Sequence, residues 1–299
     1  MSGRKDQVTR KQEVGSVMVR GWPPVRAAGD LTASATTQPS FVYLQISTGR
    51  RIGFRVRRGR SGGTGDRIAT SDTYMRQAIV FGSSGFVGSH LLQLLLDSPD
   101  YARVTAIVRK PLAISHAKLN VLIGDYHTLP GLRSEIWGDD LFITLGTTRK
   151  TSPNQAEYYQ VDHDYPVLAA RIAKENGVNS VFVVTAVGAD LKSAFSYTRT
   201  KGEVERDLIQ LDFEHTHIFR PSMLMGDRRE ERPMEKTLIG LWRWLNPLLV
   251  GKADRYRGIT GEALAAAIVN SARNQSDKVK IYHWREMVQE IQAASASRY

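Results

Sequence analysis

The sequence predicts an α/β protein: a doubly wound parallel sheet with helices on both faces and a small C-terminal helical cap, preceded by a disordered N-terminal segment. Three observations carry this. Short apolar segments alternate with helical ones from Gln77 to Phe219, the pattern of successive β-α units. A glycine-rich turn joins the first apolar segment to the first helix. The composition also breaks near Met75. Residues 1–74 carry a net charge of +8 and the remainder only +3, out of +11 in total.

The elements follow in order. Gln77 to Phe81 is a short apolar strand, and Phe86 to Leu96 a helix with Val87, Leu91, Leu92, Leu94 and Leu95 apolar. Val104 to Val108 is the next strand, and Val121 to Ile123 and Leu141 to Leu145 are further buried strands. Tyr158 to Asn176 is a long helix closed by Gly177, Ser180 to Thr185 a strand, Tyr197 to Leu211 a helix, and His215 to Phe219 a strand leading into Arg220-Pro221. Two later helical segments, Glu235 to Leu245 and Thr260 to Ala272, are expected to form the cap beside the sheet.

Residues 1–74 read differently. Arg50 to Gly65 is basic and glycine-rich, with little apolar surface to bury. Phe41 to Ile46 has the pattern of a strand, but nothing in the sequence is an obvious partner for it. A disordered extension, an Arg- and Ser-rich transit-like segment, and sequence upstream of a working start at Met75 all fit.

Bulk composition excludes several classes. At 299 residues, 41% hydrophobic and 24% charged, the chain is long enough to bury a large core and reads as globular. The basic excess sits mainly before Met75, which removes the main support for specific nucleic-acid binding. No apolar run reaches the roughly 18 residues of a membrane span; the richest, Leu238 to Val250, contains Arg243, Asn246 and Pro247. There is no cysteine, so disulfides, cysteine metal sites and thiol-dependent aldehyde dehydrogenase chemistry are excluded. With no signal-peptide core, the expected location is cytoplasmic, or an organelle if residues 1–74 are a transit segment.

Gly82-Ser83-Ser84-Gly85-Phe86-Val87-Gly88 is G-x-x-G-x-x-G between a strand and its helix. Glycines there permit a tight turn and close approach of a pyrophosphate to the backbone, and the helix N-terminus favours its charge. This is the signature of a Rossmann dinucleotide site. A doubly wound sheet binds its ligand beyond the carboxyl ends of the strands. Arg109 and Lys110, after the second strand, carry base rather than acid. They favour the 2′-phosphate of NADP(H), with NAD(H) as the alternative. Asp125, after Gly124, is placed to meet the adenine amine, and Gly146 with Thr147 and Thr148 closes the fourth strand on the same crevice.

Tyr197 and Lys201 form Y-x-x-x-K at the start of a helix, a spacing that puts both on one face. A neighbouring ammonium favours phenolate and is expected to lower the Tyr197 pKa. The alternative is that Lys201 pairs with Glu205 and Tyr197 only packs. Thr185, ending the fifth strand, offers a hydroxyl to a substrate carbonyl. Asp162, His163 and Asp164 cluster as metal ligands do, but their spacing fits a structural role better and no metal site is expected. Arg228 to Arg232 reads as a self-compensating surface loop, and Trp242 and Trp244 cannot share a helix face.

Across residues 77–290 the chain resembles the short-chain dehydrogenase/reductase superfamily, and most closely its atypical branch around the Tat-interacting oxidoreductase-like proteins. The stretches that carry the resemblance are IVFGSSGFVGSHLLQLLL, FITLGTTRK, YYQVDHDY, TAVGADLKSAFSYTRTKGEVE and FRPSMLMGDRREERP. The resemblance implies that Tyr197 is the proton donor and that Lys201 binds the cofactor ribose and modulates the tyrosine. Thr185 stands where the family often has serine, and Pro221 opens a loop near the nicotinamide. The expectation is one NAD(P)-binding domain over 75–299, with the substrate cap within about 222–299. It is expected to act as an NAD(P)(H)-dependent oxidoreductase on a small-molecule carbonyl or hydroxyl. The alternative is a silent NADPH-binding sensor or a regulator with a protein partner.

Overall fold

Ala78 and Val80 point to one face of a strand and Ile79 and Phe81 to the other, and all four are buried. A strand apolar on both faces belongs at the middle of a covered parallel sheet. The computed structural model, which describes residues 42–45, 51–54, 75–147, 154–226 and 249–296, puts it there. This strand, β1 (Arg76–Phe81), pairs in parallel with β2 (Tyr101–Val108) on one side and β4 (Asp140–Ile143) on the other. With β3 (Leu119–Ile123), β5 (Ser180–Val184), β6 (His215–Phe219) and β7 (Val279–Tyr282), the order is β3-β2-β1-β4-β5-β6-β7, parallel throughout. The order reverses between β1 and β4, which opens a crevice at their carboxyl ends.

Each face of the sheet has its own core. On one, α1 (Phe86–Asp97) sets Val87, Leu91, Leu92, Leu95 and Leu96 against Ala78, Val80 and Phe142. On the other, Val167, Ala169, Ala170, Ile172 and Ala173 of the helix before β5 join Val204 and Leu208 against Ile79, Phe81, Leu141 and Ile143. β3 was expected to be buried, but it is an edge strand and only partly covered; Ile123 is 52% exposed.

The helix predicted over Tyr158 to Asn176 begins earlier and is not uniform. The Asn154 side chain accepts from the Ala156 amide at 2.9 Å and starts α2 (Gln155–Tyr159). One π turn, Gln160–Asp164, follows before α3 (Tyr165–Glu175). Pro166 accounts for the π turn. Its ring would press on the carbonyl four residues back, that of Asp162, and it has no N–H to give; the wider turn relieves the clash. Gly177, at φ +83°, ends the helix.

The C-terminal stretch is built into the sheet layers more fully than a cap beside it would be. α5 (Gly261–Ser271), capped by the Thr260 hydroxyl, packs Leu264, Ala265 and Ile268 into the core that α1 covers. β7 extends the sheet beyond β6, and α6 (Trp284–Ala296) follows it; neither was predicted. The expected helix Glu235 to Leu245, with Trp242 and Trp244, and Arg228 to Arg232 lie outside the described residues. In the N-terminal segment, Val42–Gln45 does find a partner: it pairs antiparallel with Arg51–Phe54, inside the basic stretch. The two strands belong to a unit separate from the sheet.

Gly88 fixes how closely α1 approaches the sheet. A Cβ there would lie 2.0 Å from the Gly82 carbonyl oxygen, whereas one on Gly131 would meet nothing within 4 Å. Gly88→Ala is therefore expected to cost about 1–3 kcal/mol or more as overpacking, a melting-temperature loss of the order of 5 °C. Gly131→Ala should leave the melting temperature unchanged or slightly raised. Calorimetry of the two variants checks the contrast.

Candidate active site

The carboxyl ends of the parallel strands bring the predicted residues to one edge. Gly82 sits at φ +85°, and a Cβ on it would lie 2.8 Å from the Thr144 carbonyl, so β1 and β4 touch through backbone. The Gly85 amide donates to the Gly82 carbonyl at 2.9 Å. Gly85 then begins α1 with no side-chain cap, leaving the positive end of the helix dipole for a ligand. Ser84 and Gly85 are exposed, while the Ser83 hydroxyl is buried with no hydrogen-bond partner among the described residues. An uncapped helix start and an orphaned hydroxyl in one glycine turn fit a dinucleotide phosphate. The side chain of Val87 belongs to the core. The Phe86 ring lies against Gly226 and Gly261, where a Cβ would come within 3.0 and 2.8 Å of it.

Arg109 and Lys110 are exposed just beyond β2. One Asp125 oxygen accepts from the His127 amide, the Thr128 amide and the Thr128 hydroxyl, each at 3.0 Å. The bonds from Thr128 are the main reason its carboxyl lies below the ordinary range. Asp125 thus ties down its own turn. Buried Tyr165 lies close enough to feel both Asp125 and Arg109. Burial pushes its phenol up to about 12, Asp125 adds to the rise and Arg109 opposes it. The Pro221 carbonyl accepts from the Val187 amide at 2.9 Å. Gly146 and Thr147 follow β4, and Thr148 lies outside the described residues.

Tyr197 is in the first turn of α4 (Ser196–Gln210) and Lys201 is one turn on. The tyrosine keeps 44% of its surface exposed and the lysine 4%. The preceding loop is fastened to this helix. The Asp190 amide donates to the Thr198 carbonyl at 3.1 Å, the Ser193 and Thr198 hydroxyls share a bond of 2.5 Å, and Arg199 donates to the Ser193 carbonyl at 3.0 Å. Gly202 permits the approach, since a Cβ there would lie 2.6 Å from the Asp190 carbonyl carbon. A glycine inside a helical pattern was the available signal.

Lys201 does not pair with Glu205. Its Nζ lies 2.7 Å from Oδ1 of Asp162, which is 1% exposed in the π turn. The other Asp162 oxygen accepts from the Thr147 amide at 2.9 Å. The sequence thus missed a buried carboxylate at the centre of the site. The expected lowering of the Tyr197 pKa is also reversed. Burial raises the phenol above its ordinary value and outweighs the pull of Lys201 in the expected direction; Asp162 adds a smaller rise.

Thr185 is turned inward. It is 5% exposed and donates to Glu205 at 2.6 Å and to the Phe219 carbonyl at 3.3 Å. Arg220 holds the same glutamate through two nitrogens, Nε at 2.9 Å and Nη2. Next in the metal-like cluster, His163 stacks on Tyr159 at 4.5 Å and contacts Asp164 at 2.9 Å and Asp207 at 3.0 Å. Among the described residues no group of three acids or histidines is arranged to hold a metal.

Residues 82–238 match the family described as NAD(P)H-binding. The mitochondrial protein fmp52 of Aspergillus clavatus is 33% identical over 204 residues, covering 66% of this chain and 87% of its own length. Its counterpart in Aspergillus fumigatus is 37% identical over 171 residues, covering 55% and 73%, and that of Eremothecium gossypii 34% over 158, covering 50% and 67%. All three are named as mitochondrial, which overturns the cytoplasmic expectation. Among solved structures, MoeE5 in complex with UDP-glucose and NAD superposes with a TM-score of 0.52 at 18% identity, covering 74% of this chain and 82% of that one. The Bordetella bronchiseptica enzyme WbmH in complex with NAD+ gives 0.53 at 16%, covering 70% and 75%. These two share the fold. The chain belongs to the NAD(P)H-binding family of Rossmann proteins, together with the fungal fmp52 proteins.

Proposed function

We propose that the protein is an NAD(P)(H)-dependent oxidoreductase of the short-chain dehydrogenase type, acting on a carbonyl or hydroxyl of a small molecule. The observation that carries this is the half-exposed Tyr197 one helical turn from the buried Lys201, at the strand edge that also holds the glycine turn. Gly82 to Val87 would hold the pyrophosphate, and Arg109 and Lys110 the adenosine end. Gly146, Thr147, Lys201 and Pro221 would border the nicotinamide end. When bound, the nicotinamide supplies hydride chemistry. The chain supplies the proton. A phenol is protonated at neutral pH, and burial raises that of Tyr197 above its ordinary value, so it is suited to donate to a substrate oxygen as that oxygen gains charge.

One observation favours a second reading, a cofactor-binding sensor without turnover. The Thr185 hydroxyl is committed to Glu205, and Ala186 and Val187 bring no replacement. A panel of carbonyls with NADPH consumption as readout separates the two. Tyr197→Phe is expected to lower kcat by about 10²–10⁴-fold with cofactor binding unchanged. Tight NADPH binding without reduction of any carbonyl would move the sensor reading ahead.

We further propose a preference for NADP(H), supported by exposed Arg109 and Lys110 and by an Asp125 already bonded within its own turn. A charged hydrogen bond to phosphate contributes about 1.5–3 kcal/mol, roughly ten- to a hundredfold in affinity. Arg109→Ala should remove most of that margin for NADPH and leave NADH nearly unaffected, measured by fluorescence titration. Equal affinity of the unaltered protein for the two cofactors rules the preference out.

The names of its relatives, and the acid-poor, Arg- and Ser-rich residues 1–74, support a mitochondrial location for this protein too. A chain beginning at Met75 is expected to lose organelle import, read by cell fractionation, while keeping its melting temperature. Unchanged import would place the targeting signal elsewhere, and a loss of several degrees would mean that the segment packs on the domain.

A further inference from the structure

Two short strands form a sheet of their own. Leu224–Met225, just after the Pro221 loop, pairs in parallel with Ile259–Thr260, just before α5. Met225 lies opposite Thr260, so the next residue of each strand is a glycine, Gly226 on one and Gly261 on the other. The Phe86 ring sits on both. A Cβ on Gly226 would lie 3.0 Å from its Cζ, and one on Gly261 2.8 Å from its Cε1. The two glycines thus make a socket for the ring, and a side chain on either would displace it. The ribbon itself is closely held. The Ile259 amide donates to the Met223 carbonyl at 3.0 Å, and a Cβ on Gly258 would lie 2.8 Å from the Met225 sulfur. Two residues before Met223, the Pro221 carbonyl accepts from the Val187 amide.

Phe86 is the first residue of α1, the helix whose uncapped start would hold the pyrophosphate. Val87, Leu91, Leu92, Leu95 and Leu96 seat that helix on the sheet, while Phe86 stays only partly buried and reaches across to the ribbon. We propose that Phe86 is a positioning residue: its ring couples the pyrophosphate-binding start of α1 to the ribbon that carries the Pro221 to Met223 segment. A phosphate that orders the turn from Ser84 to Phe86 also fixes the ring in its socket, and the ring in turn holds the ribbon. The effect runs both ways by linkage, so a ribbon fixed in place favours the phosphate by the same factor. Two sites of the crevice, the phosphate turn and the loop at its nicotinamide end, are in this way set by one side chain.

The coupling rests on the reading of the glycine turn as a cofactor site, and its test separates the two without a substrate. ADP is the probe, because it carries a pyrophosphate but no nicotinamide to touch the Pro221 loop directly. Saturating ADP is expected to slow hydrogen exchange of the Ile259 amide, followed by NMR, by about fivefold or more, the lower end of ordinary coupling between sites. In Phe86→Ala the slowing should shrink to less than about twofold, and the affinity for ADP should fall by no more than the factor lost. Gly261→Ala keeps the ring but pushes it from the socket, at a residue without positive φ. It should give the same loss, and it carries the test if Phe86→Ala does not fold. Gly131→Ala, where a Cβ meets nothing, should keep the full slowing. ADP bound to the unaltered protein without slowing, or slowing that survives in either socket variant, overturns the proposal and leaves Phe86 a packing residue. If neither ADP nor NADPH binds the unaltered protein, the cofactor reading itself fails and the coupling falls with it.

Discussion

A carbonyl oxygen of Gly82 faces the backbone of Gly88 across a gap too small for a single methyl group, and much of the site follows from that approach. It draws α1 down onto β1, while the missing side chain of Gly82 lets β1 touch β4 at Thr144. Those two strands flank the reversal of strand order, so the crevice has its walls set by backbone contact. Side chains can repack around a cavity or an added methylene at moderate cost. A backbone-to-backbone contact has no comparable freedom, so the geometry of this crevice is held more rigidly than the core behind it.

Much of the architecture was legible because it rests on patterns of period two and near four. Ala78 and Val80 against Ile79 and Phe81, and Leu91, Leu92 and Leu95 along α1, announce their burial. The elements that were missed lack such a pattern. β7 reads VKIY after a charged stretch, and Val279 and Ile281 are more than a third exposed, as befits an edge strand. The hairpin partner Arg51–Phe54 sits among arginines and glycines. The π turn has no composition of its own, and only the placement of Pro166 four residues after Asp162 hints at it.

The site shows why residue type and spacing give less than position and partner. Y-x-x-x-K correctly places Tyr197 and Lys201 one turn apart, and a lone ammonium would lower the phenol pKa. Spacing says nothing about what else has been buried there. Burial of the phenol outweighs the ammonium, and Asp162, from another helix, adds a smaller rise. Thr185 is the parallel case. Its type and strand-end position suit an oxyanion donor, but Glu205 and the Phe219 carbonyl claim its hydroxyl first. Glu205 is itself i+4 from Lys201, the partner spacing suggested; Arg220, from the end of β6, takes it instead.

These substitutions of partner are connected. Were Lys201 bonded to Glu205, Arg220 and Thr185 would each lose an acceptor in a buried setting, and Asp162 would be left as an uncompensated charge, the costliest arrangement available. The observed pairing, Lys201 with Asp162 and Arg220 with Glu205, satisfies both cations and both acids, joining α4 to the π turn and to the end of β6. It also spaces them along α4. The first pair lies one turn from the half-exposed tyrosine, and the second, with Thr185, braces β5 and β6. A hydroxyl braced in that way stiffens the floor of the site, whereas Tyr197 is the hydroxyl-bearing residue that α4 leaves half-exposed there.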